Sequence, residues 1–373
     1  MYKNNEQFEK ENKLGLVLSG GGARGAYEAG VSLYMAEIGL EPDMYSGASV
    51  GALNATFLAS ASSIQTGAHK LRMIWENISN EKELKINAKM LGVGFLYTSL
   101  DIASQHNSAA NRIKKSFLDH LQKFEEEHRY TQMLVNSPLE GLAKPTKSLL
   151  NTDGLRSLIE YSINMDELDR AKPIWISMYP SFGLIDDLAS LIMAELGFSE
   201  TRSSDYIHLQ SLEVEERVTA LLASAALPLA YDSQIINGKK YIDGGLGEWR
   251  NSHGNTPLKP LVDAGCSYAI VAHLSDGSMW NRHHFPNTTI IEIRPKHSLH
   301  PNGKIKSLMD FNHERISTLI EQGYEDAKRC IGEVKNALEL NYKWHQSRYL
   351  LKKSIEDLEN DDFNEAIKML DNY

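Results

Sequence analysis

Three groups of residues in this chain have the types and order needed for nucleophilic attack on a carbonyl. Ser49 lies in Gly47-Ala48-Ser49-Val50-Gly51, a G-x-S-x-G pattern. In a sharp turn between a strand and a helix, such a serine is pushed out of the backbone with its oxygen exposed. The flanking glycines remove Cβ atoms that would clash in so tight a turn. Ser19-Gly20-Gly21-Gly22-Ala23-Arg24-Gly25 precedes a helical pattern. It presents backbone N–H groups at a helix N-terminus, a cradle for an oxyanion or a phosphate. Asp243-Gly244-Gly245 ends a strand-like run with a carboxylate. A common Asp-Gly turn is its plain structural reading. An ester carbonyl needs a nucleophile, a proton acceptor and donors for the developing oxyanion. Aspartate is a weak base, with a reference pKa of ~3.9. It serves if desolvated and held within hydrogen-bond reach of the serine.

The elements around these groups fit that use. Leu14 to Leu18 reads as a buried parallel strand running into the glycine loop. Ala26 to Ile38 has helical spacing, with Ala26, Ala29, Leu33 and Ala36 on one face. Asp43 to Ser46 reads as the strand before the elbow, and Ala52 to Ala59 as the helix after it. Residues 62–148 are mostly helical in pattern, with Leu71, Ile74, Trp75 and Ile78 as one buried stripe. Residues 90–100 suit packing or a mobile flap, and Arg112 to Lys115, beside Phe117 and Leu118, a solvated or membrane-facing surface. Asn151 to Gly154 starts a helix, and Pro173 to Tyr179 is a strand. Leu184 to Leu196 has an apolar helical face, for packing or as a lipid-contacting lid. Tyr206 to Leu209 is a strand and Val214 to Ala226 a helix. Ile235 to Ile242 is a hairpin turning at Asn237-Gly238 that delivers Asp243. Ala269 to Leu274 and Thr288 to Ile293 are further strands. Residues 303–335 are helical, and 336–373 form a charged helical extension, acidic toward its end.

Other readings compete. Gly20, Gly22 and Gly25 also satisfy G-x-G-x-x-G, and Glu41 or Asp43 lies near the place of a ribose-binding acid. That acid should end the second strand, whereas Glu41-Pro42-Asp43 precedes it. A reaction cradle accounts for both neighbouring motifs, and a dinucleotide site for one. A Ser-His-Asp triad of the α/β-hydrolase kind is a second alternative, with His253 or His273 available in the order Ser, Asp, His. A non-catalytic dinucleotide-binding or regulatory module is a third. His283-His284 lacks a spaced set of carboxylates or cysteines, and no loop of alternating acids is present, so neither metal nor cofactor is expected.

Bulk properties narrow the class. The chain has 373 residues, 42% hydrophobic and 24% charged, enough for a sizeable globular core. No apolar run approaches the ~18 residues of a membrane span, and Met1 to Glu6 lacks the apolar core of a signal peptide. Cys266 and Cys330 imply no disulfide framework. A cytoplasmic location is the expectation, and secretion by a signal-less route stays compatible with it. The formal net charge of −10 argues against nucleic acid as a partner.

Together the loop at 20–25, the G-x-S-x-G at 47–51 and the D-G-G at 243–245 resemble the patatin-like phospholipases. The resemblance covers most of residues 14–335 and leaves 1–13 as a flexible leader and 336–373 as the extension. Leu221 to Pro228, a small-residue run ending in proline, and the Asn237-Gly238 turn also fit. The first motif is closer to bacterial and neuropathy-target-esterase-like members than to the plant storage proteins, which usually have aspartate where this chain has Ser19. The resemblance implies a three-layer α/β/α sandwich with a mostly parallel central sheet and helical insertions near 62–148 and 183–205. It implies a Ser49–Asp243 dyad without histidine and an oxyanion hole from Gly20, Gly21, Gly22 and Arg24, with Arg24 the basic residue that holds that loop or the developing charge. Phospholipid or lysophospholipid esters would be the substrates, met in transient contact with a membrane surface. Two departures concern substrate preference. Leu246 to Gly254 intervenes before Asn255-Thr256-Pro257, and the segment around 183–205 is longer than usual.

Overall fold

The computed structural model describes residues 12–79, 153–182, 200–225, 233–277, 279–301, 307–308 and 310–360. The expected flap at 90–100, the basic cluster at 112–118 and the apolar helical face at 184–196 lie outside them.

Eight strands form one mixed sheet, and its parallel centre grows from the apolar runs read in the sequence. They are β1 (Lys13–Leu18), β2 (Met44–Ala48), β3 (Ile174–Pro180), β4 (Asp205–His208), β5 (Gln234–Ile236), β6 (Lys239–Asp243), β7 (Cys266–Ala272) and β8 (Thr289–Ile293). The order across the sheet is β5-β6-β3-β2-β1-β7-β8, with β4 also paired to β3. Pairs β1–β2, β1–β7, β2–β3 and β7–β8 are parallel. Pairs β3–β4, β3–β6 and β5–β6 are antiparallel. The hairpin turns at Asn237 and Gly238, both at positive φ (49° and 75°), as a two-residue Asn-Gly turn requires.

Helices cover both faces, making a three-layer α/β/α sandwich. They are α1 (Ala26–Glu37), α2 (Val50–Ala59), α3 (Ile64–Ile78), α4 (Asp153–Ser162), α5 (Val214–Ser224), α6 (Lys259–Asp263) and α7 (His313–Asn360). The short α6 supplies Leu261 to a core of Val17, Met44, Cys266, Ala269, Val271 and Trp280. Alternation along β1 sends Leu16 and Leu18 to the other face, where both are fully buried. Helix α2 packs over β1, β2 and β3, with α1 and α3 against it. The stripe read on α3 is buried at Leu71, Ile74 and Trp75.

Compact packing divides the chain between Ala327 and Lys328. Helix α7 runs through that point, and through 335, without a break.

Candidate active site

Parallel strands deliver their C-terminal ends to one edge, and the sequence puts its glycine loop and its serine there. The loop follows β1 and leads into α1, and Ser49 follows β2 and caps α2. Ser49 has φ 53° and ψ −128°. A non-glycine residue in that region costs of order 1–3 kcal/mol and persists only where its surroundings over-determine it. The surroundings here are specific. The Ser49 N–H donates to Ser224 Oγ at 3.0 Å, and Ser224 Oγ donates to the Ser177 carbonyl at 2.7 Å. Ser224 ends α5 and is fully buried. It thus ties the elbow to β3.

Asp243 reaches the serine through strand register. Ala48 pairs with Ser177 on β3, and the next residue, Met178, pairs with Asp243 on β6. The antiparallel run of β6 is what brings its C-terminal carboxylate to this place. Asp243 is buried, and its carboxyl lies within hydrogen-bonding reach of the Ser49 side chain. Its Oδ1 also accepts the Gly245 N–H at 2.8 Å. Burial pushes the carboxyl up to about 6, against the smaller opposing pull of the Gly245 and Ser49 hydrogen bonds. A base of that strength is half-ionised near pH 6, which moves it toward the range where proton abstraction is efficient.

The glycine loop lies against the elbow. A Cβ on Gly20 would stand 3.1 Å from Ser49 Cβ. The Gly20 N–H itself donates to the Asn255 carbonyl at 3.2 Å. Gly20 was grouped with the oxyanion donors from its motif, but its donor is already spent on this backbone bond. Its carbonyl accepts from Asn255 Nδ2 at 3.3 Å, and the Gly21 carbonyl accepts from the Arg24 N–H at 3.2 Å and Arg24 Nε at 3.0 Å. A trans peptide points its N–H away from its carbonyl. Asn255 and Arg24 therefore orient the N–H groups of Gly21 and Gly22, which meet no protein acceptor among the described residues.

Arg24 is a brace in this structure. Beyond Gly21 it donates to the Leu274 carbonyl at 3.0 Å and lies 3.1 Å from His300 Nδ1. Burial, with Arg315 nearby, lowers its guanidinium to about 10, so it stays charged at neutral pH. Asn255 and its neighbours form a second brace. Thr256 Oγ1 bonds Ser19 Oγ at 2.9 Å, and Ser46 Oγ donates to the Pro257 carbonyl at 2.6 Å. The segment read as a displaced motif thus clamps the loop to the elbow strand.

Sequence reasoning passed over four members of this arrangement as site residues: Ser224, Asn255, Glu28 and Asn54. Asn54 Nδ2 donates to Glu28 Oε2 at 2.8 Å and to the Gly25 carbonyl at 3.0 Å, and Asn54 Oδ1 accepts from Trp75 Nε1 at 3.1 Å. Glu28 is fully buried, and desolvation holds its carboxyl well above the usual range, against the smaller opposing hydrogen bonds from Asn54 and the Ser19 backbone. The available signal was a lone acid and a lone amide inside otherwise apolar helix faces.

The rival readings find less support. His273 Nε2 is 3.0 Å from Glu292 Oε2, and His253 Nε2 is 3.0 Å from His284 Nδ1. Neither histidine bonds Ser49 or Asp243 among the described residues. Asp43 Oδ2 accepts the Leu14 N–H and Glu41 Oε2 accepts the Ile64 N–H. Asp43 stands at the start of β2, at the sheet edge opposite the glycine loop, out of place for a ribose.

A family model of patatin-like phospholipases matches residues 16–261, about two-thirds of the chain, a range that spans all three motifs. The chain belongs to the patatin-like phospholipase family. It is 35% identical over 96 residues to the neuropathy target esterase sws of Drosophila willistoni, covering 26% of this chain and 6% of that protein. The Drosophila melanogaster esterase of the same name is 44% identical over 61 residues, 16% of this chain and 4% of the relative. The chain thus spans a small fraction of the length of these curated relatives. The crystal structure of VipD from Legionella pneumophila aligns with 86% of this chain and 67% of its own, at 13% identity and a TM-score of 0.39.

The described end of the 183–205 segment meets residues 246–254 in space. Residues 246–254 pack on 200–204, with Glu248 N–H donating to the Arg202 carbonyl at 3.0 Å and Trp249 N–H to Thr201 Oγ1 at 2.9 Å. Ser204 Oγ donates to the Gly244 carbonyl at 2.7 Å. This pair of segments therefore buttresses the turn that presents Asp243.

Ser224→Ala tests the support of the elbow. It leaves the buried Ser49 N–H without its acceptor, which costs about 1–3 kcal/mol. The expected result is a lower urea midpoint at unchanged m-value, together with a lower kcat. A variant as stable and as active as wild type would show that Ser224 does not hold the elbow.

Proposed function

We propose that this patatin-like chain is a serine lipid acyl hydrolase acting on phospholipid or lysophospholipid esters. Family membership supports lipid-ester hydrolysis as the class of chemistry. The observation that carries the finer reading is the strained Ser49 within reach of the buried, partly neutral Asp243. Ser49 Oγ attacks the ester carbonyl carbon while Asp243 takes its proton. The Gly21 and Gly22 N–H groups, oriented by Asn255 and Arg24, are the assigned donors to the carbonyl oxygen as it gains charge. Collapse of the tetrahedral intermediate breaks the bond to the lipid alcohol, which leaves with the proton held by Asp243. Water, deprotonated by the same carboxylate, then releases the fatty acid and restores Ser49.

The reading is tested with a fluorophosphonate probe and a defined lipid mixture. Peptide mapping is expected to find the probe on Ser49. Mass spectrometry is expected to show fatty acid and the matching lysolipid or glycerophospho-alcohol from wild type, and none from Ser49→Ala. Labelling elsewhere, or equal product from the variant, would overturn the assignment and return attention to the histidines.

A further inference from the structure

The second compact unit carries a surface that the chemistry above does not use. Its helix, the part of α7 from Lys328 onward, changes character between Lys343 and Ile355. That stretch reads Lys-Trp-His-Gln-Ser-Arg-Tyr-Leu-Leu-Lys-Lys-Ser-Ile. It holds four lysines and arginines and no acid, in a chain of net charge −10. Every described side chain within it is exposed.

Helical spacing sorts these residues. Trp344, Leu351 and Ile355 lie along one narrow stripe, at 54%, 62% and 47% exposure. Arg348 borders the stripe, with its guanidinium 4.7 Å from the Trp344 ring centroid. Lys352 flanks it on the same side, Lys343 lies on the other, and Tyr349 and Leu350 add exposed apolar area beyond. Such a stripe would ordinarily be covered. A second copy set face to face would bring the three positive charges that flank the stripe against three, which opposes docking. An anionic surface meets the same charges favourably. Trp and Tyr favour the level of lipid headgroups, and arginine and lysine extend their charged ends to that level while their stems lie on apolar material. No helix of the described residues is long and apolar enough to cross a membrane, so the contact this stretch can make is in the plane of the interface.

We infer that residues 343–355 form a docking surface for an anionic phospholipid bilayer. Trp344, Leu351 and Ile355 enter the headgroup boundary, and Lys343, Arg348 and Lys352, which flank the stripe, meet lipid phosphates and carboxylates, while Lys353 lies on the opposite helix face. The acids that resume at Glu356 and Asp357 end the surface. This assignment rests on no step of the hydrolysis reading and stands if that reading fails.

The test uses Ser49→Ala protein, so that no lipid is consumed, and sedimentation with vesicles of phosphatidylcholine alone or with about a third phosphatidylserine. The protein is expected to bind the anionic vesicles far better, and less well as salt rises. Lys343→Gln with Arg348→Gln and Lys352→Gln is expected to lower that affinity by about 100-fold. Trp344→Ser with Leu351→Ser and Ile355→Ser is expected to lower it by at least tenfold. Circular dichroism is expected to show both variants still helical. Absence of binding by the parent protein overturns the inference, as does binding that neither variant weakens. Self-association lost in the apolar variant, with vesicle binding unchanged, overturns it in favour of a second copy.

Discussion

Ser49→Ala and Asp243→Asn are each expected to lower kcat by about 10³–10⁴-fold, and Asp243→Asn is expected at the same time to stabilise the protein. The rate effect follows from the roles proposed for the pair. Alanine removes the atom that attacks. Asparagine keeps an oxygen for the Gly245 N–H but cannot take the serine proton. The stability effect follows from burial. The Asp243 carboxyl is shifted from 3.8 to about 6 because the folded protein desolvates it. A folded-state value above the unfolded one means that folding favours the neutral acid. That contribution is complete below about pH 4 and is lost as pH rises through about 6. Above that, the buried carboxylate costs about 3 kcal/mol relative to an unshifted one. Asparagine never ionises, so its gain in melting temperature should be present at pH 8 and vanish near pH 4. The same ionisation gives the wild-type rate an acid limb with a midpoint near pH 6. A folded Asp243→Asn enzyme with the wild-type rate would remove Asp243 from the chemistry. A gain in stability that does not depend on pH would remove the buried charge as its cause.

Local chemistry made much of this site legible before its geometry. Strand, glycine loop and helix at 13–37 and strand, serine and helix at 44–59 are each written within about 25 residues, by apolar runs that end at glycines. The Asn237-Gly238 hairpin is a two-residue signal that the backbone obeys at both positions. What the sequence does not write is which distant groups meet. Ser224 is 175 positions from Ser49, and in an alanine- and leucine-rich helix it reads as another small residue. Asn255 reads as the remnant of a displaced motif, because nothing local tells that its amide will lie on Gly20. The reversal of β6 against β3, which brings Asp243 beside Ser49, is set by sheet pairing rather than by any residue of the hairpin. The shared glycines of a phosphate loop and an oxyanion loop also left two uses open. Those uses separated only when Asp43 was found at the opposite edge of the sheet. The buttress formed by 200–204 and 246–254 is likewise a long-range pairing that no local pattern announces.

Gly51→Ala is expected to cost at least about 3 kcal/mol of stability and to lower kcat of the remaining folded protein by about 10²-fold or more. Its Cβ would stand 2.3 Å from the Leu18 carbonyl oxygen and 2.7 Å from that of Ser19. Both are backbone atoms of β1 and of the glycine loop, so no side chain can swing away. Gly47→Ala meets the same limit from the other end, with its Cβ 2.3 Å from the Gly51 carbonyl oxygen. The two glycines of G-x-S-x-G therefore face each other and the loop across one gap. Relief requires α2 to move off β1, which carries Ser49 away from both Asp243 and the Gly21–Gly22 peptide. Gly238→Ala is the control. It has a φ of 75°, which neither elbow glycine shares, but nothing within 4 Å of the added Cβ. Strain without a clash costs about 1 kcal/mol there and should leave kcat unchanged, because the hairpin tip lies at the far end of β6 from Asp243. Urea unfolding and kcat measured on all three variants separate the effects. Equal losses in Gly51→Ala and Gly238→Ala would mean that the contact with β1 costs no more than an unusual φ, and that close approach is not what makes Gly51 necessary.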